Sequence, residues 1–277
     1  MSNTVSIENI SAAAARRMTA AAEARAAELG VPSVIAICDG KTFLMLPAAR
    51  DYKRAYDRDR GGNTGGMGAF APLEQVDAGL ECEIGRRIVT PVLRAMEERG
   101  TPFRGALYCG LMVNREGFSV LEFNCRFGDP ETQVILPLVE GNLCELLASA
   151  ADGNLSRSAT TRGRGAAVAV ALVDEDYPDS VRGDGVIEGL EALMSREEIV
   201  VFHGACDTEN GRWLVRGGRA VYVMSHATNR EEARDRVYRA IADLGGAGWR
   251  FRRDVAFGDG AAHECAREFT ARVAGGG

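Results

Sequence analysis

Near residue 120 the sequence reads VLEFNCRFGDPETQ, from Val120 to Gln133, and it sets hard oxygen donors and a guanidinium within a few residues of each other. Side chains on a strand alternate faces, so Glu122 and Asn124 share one face while Leu121 and Phe123 share the other. Two oxygen donors about 7 Å apart along one strand face can both reach a hard cation lying between them. Magnesium suits that pair: it takes carboxylate and carbonyl oxygens, keeps several waters and shares its other positions with phosphates. Arg126 follows at once and can place a guanidinium fork beside the same phosphates. By spacing alone, a solvated strand end with Asp129-Pro130 opening a turn accounts for the same residues.

A second polar element is RGGNTGGMGAF, Arg60 to Phe70. Glycines there let backbone N–H groups approach an anion without Cβ obstruction. The stretch is neither GxxxxGK[ST] nor GxGxxG leading into a helix, so neither the Walker nor the dinucleotide mechanism applies. A mobile surface loop has the same composition. Ahead of it, RDYKRAYDRDR is a charge run of both signs, which taken alone reads as a solvated face.

The elements that must position these residues follow from pattern. VPSVIAICDG reads as a strand ending in an Asp-Gly turn, with KTFLMLPAA as its hairpin partner. GGNTGGMGAFAP reads as a loop, followed by a helix from about Gly79 to Arg99. ALYCGLMV and FSVLEFN make a second hairpin around a turn at Asn114 to Gly117. Residues 131–151 read as helix, interrupted near Pro137 and Gly141. The polar stretch GNLSRSATTRGRG marks a boundary near 153–165. Beyond it, AAVAVALV, EIVVFHGA, RWLVRGG and RAVYVMSHA are short strands, followed by a helix from Asn229 to about Leu244. SAAAARRMTAAAEARAAEL, over 11–29, is an alanine-rich helix capped by Ser11 and stopped by Gly30 and Pro32.

The bulk figures set limits. A chain of 277 residues with 46% apolar and 26% charged residues is an ordinary globular one. Its net charge of −6 argues against a nucleic-acid partner, which needs a basic excess. No apolar run approaches the ~20 residues of a membrane span, and the first residues are not a secretory signal; a cytoplasmic location is the expectation. Cys38, Cys109 and Cys125 sit among apolar residues and read as reduced, packed thiols. Only Lys41 and Lys53 offer an ammonium group. His203 reads as a structural hydrogen-bonding residue at a strand end, and Trp213 and Trp249 as packing residues.

Together, DYKRAYDRDRGGNTGGMGAFAP and GALYCGLMVNREGFSVLEFNCRFGDPETQVILPLVEG, in this order and separation, resemble the phosphoribosylamine–glycine ligase (glycinamide ribonucleotide synthetase) family of ATP-grasp enzymes. The likeness continues through YP, GDGVIEGL, VVFHGA, VRGGRAVYV and FRRD, over roughly 32–256. The resemblance implies an α+β fold: a partial ATP-grasp domain, an antiparallel sheet with helices, over 32–155, then a small C-terminal α+β module over 165–256. Residues 1–31 are left as an N-terminal helix of unclear origin and 257–277 as a tail. It implies ATP as co-substrate and Glu122 and Asn124 as ligands of Mg2+ or Mn2+. Arg126 and Asp129 fall at the reaction centre. Lys53, Arg54, Asn63, Thr64, Gly65, Gly66, Met67 and Gly68 fall on the substrate side. The chemistry implied is activation of a glycine-like carboxylate to an acyl phosphate, which the amine of a phosphoribosylamine-like substrate then attacks.

Three departures from the family pattern, and a lesser fourth, stand out. In the family an N-terminal domain, and a small clamp with an ATP-binding lysine, precede the matching region. Here Lys53 belongs to the retained motif and Lys41 to a hairpin strand, so another protein chain is the expected source of the clamp. Residues 1–30 resemble instead the GlcG/HbpS-like family. The stretch VDEDYPD carries three acids where the family has Gly-Gly before Tyr-Pro, which argues against phosphate binding at that edge. Tyr52 stands where the family commonly has histidine. The rival reading is a non-catalytic nucleotide- or metal-binding regulatory protein that keeps the fold.

Overall fold

The computed structural model describes residues 32–74, 76–114 and 117–257. The helix expected over 11–29, the tail from 258 onward and His263 lie outside the described residues. Strand β1 (Pro32–Asp39) is buried at every position because helices cover both faces of the sheet it joins. Strand β2 (Phe43–Met45) folds back on it, through a turn in which the Asp39 carboxylate accepts the N–H groups of Lys41 and Thr42. Four short strands follow: β3 (Ala49–Asp51), β4 (Arg54–Tyr56), β5 (Arg60–Asn63) and β6 (Gly68–Ala71). The last two lie inside the stretch expected to be loop. Strands this short and glycine-rich carry no readable alternation.

A helix then runs as α1 (Ala78–Ile84), a π segment over Gly85–Val89 and α2 (Thr90–Glu98), started by the Asp77 side chain accepting from the Leu80 N–H. Strands β7 (Arg104–Asn114) and β8 (Gly117–Asn124) form the second hairpin. The interrupted helical stretch resolves into α3 (Glu131–Ile135), a 3-10 turn over 136–138, strand β9 (Val139–Gly141) and α4 (Leu143–Asp152). Strand β10 (Thr160–Arg162) pairs with β9 inside the polar boundary segment. The later part adds β11 (Ala166–Asp174), β12 (Val186–Glu188), α5 (Leu190–Met194), β13 (Val200–His203), β14 (Cys206–Glu209), β15 (Arg212–Val215), β16 (Arg219–Ala227), α6 (Arg230–Ala242), β17 (Gly245–Ala247) and β18 (Trp249–Arg250).

One antiparallel sheet runs through both parts in the order β13-β16-β11-β6-β3-β1-β7-β8. The joint is β6, which pairs with β3 on one side and with β11 on the other, Gly68 to Ala71 facing Val170 to Ala167. One face carries α1, α2 and α6, with Ile84, Ile88, Leu93, Val237 and Ile241 in its core. The other carries α3 and α4, with Val134, Ile135, Leu138 and Leu146. A smaller sheet, β14-β15-β12-β17, stands beside it. Among the described residues no helix is long and apolar enough to cross a membrane.

Side chains confirm most packing expectations and revise three. Cys38 and Cys109 are buried free thiols, and burial pushes both up to about 12. Cys125 is exposed, because it lies one residue beyond β8 where the core ends. His203 stacks flat on Trp213, ring centroids 4.8 Å apart, and its side chain has no hydrogen bond among the described residues. The three acids at 174–176 are neutralised within their own loop. Asp174 is buried and accepts the N–H groups of Asp176, Arg182 and Gly183, while the Arg182 guanidinium pairs with Glu175 and Asp176. Burial alone would raise the Asp174 carboxyl, but those backbone donors hold it below its ordinary value.

The C-terminal FRRD knots the two parts together. Arg252, 1% exposed, makes a two-pronged contact with Asp254 at 2.7 and 2.6 Å. It also donates to Asp59 Oδ1 at 2.7 Å and to the Arg54 carbonyl at 3.0 Å. Its guanidinium lies over the Tyr52 ring, whose hydroxyl accepts the Ala256 N–H. Removing one partner of a buried ion pair strands the other, at a cost of about 3–5 kcal/mol. Arg252→Ala is therefore expected to lower the urea unfolding free energy by about that amount. Arg94→Ala, which breaks an exposed pair with Glu98, should change it by less than about 1 kcal/mol.

Candidate active site

Strand register decides which way Glu122 and Asn124 face. Asn124 stands opposite Tyr108, and Glu122 opposite Gly110. Tyr108 belongs to the core under α3 and α4, so Glu122 and Asn124 lie on that face. Phe123 stands opposite Cys109, which belongs to the other core. The register slips between Gly110 and Leu111, and Val120 pairs with Leu111, so Leu121 is the extra residue of a bulge. The alternation expected from sequence thus holds from 122 to 124 and is interrupted at 121.

Glu122 is exposed and Asn124 half-buried, and neither appears in a hydrogen bond or ion pair with the described residues. A carboxylate and an amide oxygen free on one face fit a hard cation that completes its shell with water and phosphate. Among the described residues no group of three or more His, Cys, Asp or Glu could hold a metal by itself. A two-donor magnesium site shared with a nucleotide is the arrangement these residues allow. Arg126, just past the strand, is exposed and, among the described residues, donates only to the Phe127 carbonyl.

Asp129 lies near but is not free. Gln133 Nε2 donates to its Oδ1 at 2.8 Å, and Arg219 Nη2 to its Oδ2 at 3.0 Å. Arg219, from β16, is the functional candidate that sequence reading missed. It is one arginine in a strand, and the side-chain hydrogen bonds it makes reach 90 residues or more along the chain.

Behind Asp129 lies a buried charge cluster. Asp51, at the end of β3, and Glu131, at the start of α3, are 5% and 1% exposed. Tyr108 Oη donates to Glu131 Oε1 at 2.8 Å. Lys53 Nζ stands 2.8 Å from Asp51 Oδ2, an ion pair by distance, although neither Asp51 oxygen receives a well-directed hydrogen bond. Burial works against the Lys53 charge, but Asp51, Glu131 and Glu122 outweigh it and raise its affinity for a proton. Burial, then the Glu131 charge, push the Asp51 carboxyl up to about 7 against the pull of Lys53 and Arg219.

The glycine loop is pinned by the protein itself. The N–H of Thr64 donates to the Lys53 carbonyl, that of Gly65 to Tyr177 Oη, that of Gly66 to Thr64 Oγ1 and that of Met67 to the Tyr52 carbonyl. The open anion nest suggested by the glycines is therefore not the arrangement seen. Glycine is needed here for close approach. A Cβ on Gly65 would lie 2.7 Å from Arg219 Cζ, and one on Gly66, at φ +117°, would lie 2.4 Å from Pro130 Cδ. Met67 is fully buried and Gly68 opens β6, so these two face the core, whereas Asn63 is exposed and accepts from Arg54 Nη1 at 3.3 Å.

An antiparallel sheet that presents Glu-x-Asn-x-Arg at a strand end, beside a glycine loop and a buried lysine–carboxylate pair, has the architecture of the ATP-grasp fold. A biotin carboxylase domain from Hydrogenobacter thermophilus, solved with MgADP, superposes with a TM-score of 0.56 at 17% identity, over 80% of this chain and 46% of that one. Residues 27–132 match the ATP-grasp (A) domain of phosphoribosylglycinamide synthetase, and residues 167–258 its C domain. The chain belongs to that family. The phosphoribosylamine–glycine ligase of Streptomyces coelicolor is 40% identical over 227 residues, 81% of this chain and 55% of that protein. The crystal structure of the Thermotoga maritima ligase superposes with a TM-score of 0.71 at 32% identity, over 81% of this chain and 55% of that one. The chain thus spans about half the length of these relatives.

The Asp51 environment gives a test. Between the ordinary carboxylate value, about 4, and about 7, the folded protein holds a proton that the unfolded chain has lost. Stability therefore falls as pH rises through that window and is level above it. Asp51→Asn removes this dependence. Relative to the parent, the variant should gain stability from about pH 5 to about pH 7. Urea midpoints across that range would read it, and a constant difference would contradict the assigned cause.

Proposed function

We propose that the chain forms the metal- and phosphate-holding wall of a ligase of the phosphoribosylamine–glycine type, built from an ATP-grasp part over 32–155 and a C-terminal module over 165–256. The observation that carries this reading is the pair Glu122 and Asn124 on one strand face, without a hydrogen-bond or ion-pair partner among the described residues, with Arg126 two residues on. In it Glu122 and Asn124 hold magnesium or manganese, which when bound neutralises charge on the ATP phosphates. Arg126 places its guanidinium against the transferring phosphoryl group. Lys53, held charged by Asp51, Glu131 and Glu122, offers an ammonium to an anionic substrate, with Arg54 and Asn63 at the same mouth. Thr64 to Gly68 and Asp129 shape that mouth.

The reaction joins a glycine-like carboxylate to a phosphoribosylamine-like amine. A carboxylate oxygen attacks the γ-phosphorus of ATP, ADP leaves, and an acyl phosphate results. The amine then attacks the acyl carbon, and phosphate departs with the C–O bond. Positioning and charge neutralisation supply most of the acceleration in the phosphoryl step. The part of the relatives' length that this chain does not span completes the nucleotide site. A non-catalytic nucleotide-binding role has one observation in its favour, the engagement of the loop N–H groups of Thr64 to Met67 by the protein.

Calorimetric titration of the purified chain with ATP in millimolar magnesium, beside Glu122→Ala, tests the site. Magnesium-dependent binding is expected, and the variant should lose at least about tenfold in affinity, the worth of one charge-assisted contact. Binding equal in both proteins would remove Glu122 from the metal's shell.

A further inference from the structure

Gly65 is the point where the later part of the chain grips the earlier one. Its N–H donates to Tyr177 Oη at 2.8 Å, and its carbonyl accepts from Arg219 Nη1 at 2.7 Å. The same guanidinium donates to the Asp129 carbonyl and to Asp129 Oδ2, both at 3.0 Å. One arginine on β16 therefore ties the glycine loop to the segment that leaves the Glu122–Arg126 strand end. Tyr177 is itself fixed, because Arg250 donates to the carbonyls of Glu175, Tyr177 and Ala55. Neither Arg219 nor Tyr177 belongs to the motifs that suggest a nucleotide site.

A clasp that only stabilised the fold would gain most by burial, yet the Arg219 side chain is 22% exposed and that of Asp129 45%. It sits at the rim, where the two segments meet solvent. Its donors take both a carbonyl and a carboxylate, which fixes distance and orientation together, a task the planar fork performs and an ammonium does not.

We propose that Arg219 and Tyr177 are positioning residues, through which the C-terminal module sets the separation between the glycine loop and the Glu122–Arg126 strand end. This rests on the reading of that strand end as the metal–nucleotide site. It explains why a loop whose own N–H groups are engaged can still matter to a ligand: its place is set from the other module, and Lys53 and Asn63 are carried with it.

The test uses the full chain and its variants Arg219→Lys, Arg219→Ala and Tyr177→Phe. Hydrogen exchange of peptides covering 61–68 should quicken by about tenfold in Arg219→Ala and by a few-fold in Tyr177→Phe, with Arg219→Lys between them. Exchange in α2, remote from the clasp, should not change. ATP affinity in millimolar magnesium should fall about tenfold in Arg219→Ala, and tens of millimolar guanidinium chloride, but not sodium chloride, should restore it. Unchanged loop exchange in all three variants would overturn the proposal, as would parental ATP affinity in Arg219→Ala or failure of guanidinium to rescue. If the parent chain binds no Mg-ATP, the nucleotide-site reading and its positioning role fall together, while the exchange results still decide whether these residues hold the loop. If Arg219→Ala does not fold, Tyr177→Phe, which deletes one hydroxyl, carries the same comparison.

Discussion

Strand β6 is the constraint on which the rest depends. Four small or apolar residues, Gly68 to Ala71, are buried between β3 and β11, so the NTGGMGAF motif is half loop and half central strand. Ala69 and Phe70 are paired on both sides, with Asp51 and Arg50 of β3 and with Ala169 and Val168 of β11. The loop preceding β6 is anchored at its end, because Met67 enters the core and the Met67 carbonyl accepts from the Ala171 N–H. The sheet thus fixes where the glycine loop ends, while Tyr177 and Arg219 hold it at Gly65.

The charges are arranged around that fixed point. Asp51 and Glu131 place two carboxylates where water does not reach, with one ammonium, Lys53, at contact distance. Arg219 adds positive charge from the opposite module, and Asp129 is neutralised by it. Among the described residues, Glu122 and Asn124 have no hydrogen-bond or ion-pair partner at the sheet's end.

Much of this was legible in the sequence. The shared face of Glu122 and Asn124 follows from strand alternation and survives in the register, although the bulge at Leu121 does not show in the pattern. The β1–β2 and β7–β8 hairpins, and the helix over 78–98, are apparent from turn residues and apolar period. Strand β6 is not, because a four-residue strand with glycine at its head reads as the end of a loop. Asp51 and Arg219 escape for a different reason: their roles exist only through partners brought from elsewhere, Glu131 for one and Gly65 and Asp129 for the other. The acids at 174–176 were legible as charge. That Arg182 and three backbone N–H groups absorb them was not, since this depends on a turn closing eight or nine residues on.

The ladder through β6 also fixes the order of events when the chain is made. Ala71 emerges almost a hundred residues before its partner Ala167, and Arg58 donates its N–H to Asp254 across 196 positions. Closing such spans costs chain entropy before any contact rewards it. At ordinary rates of synthesis β6 waits roughly 5–20 s with one side of its ladder unfilled. During that interval its N–H and C=O groups form an open edge, the kind of surface on which chaperones and misfolded neighbours act. The β6 ladder therefore stays half-filled until Ala167 to Val170 have been made, and the Arg252 contacts close last.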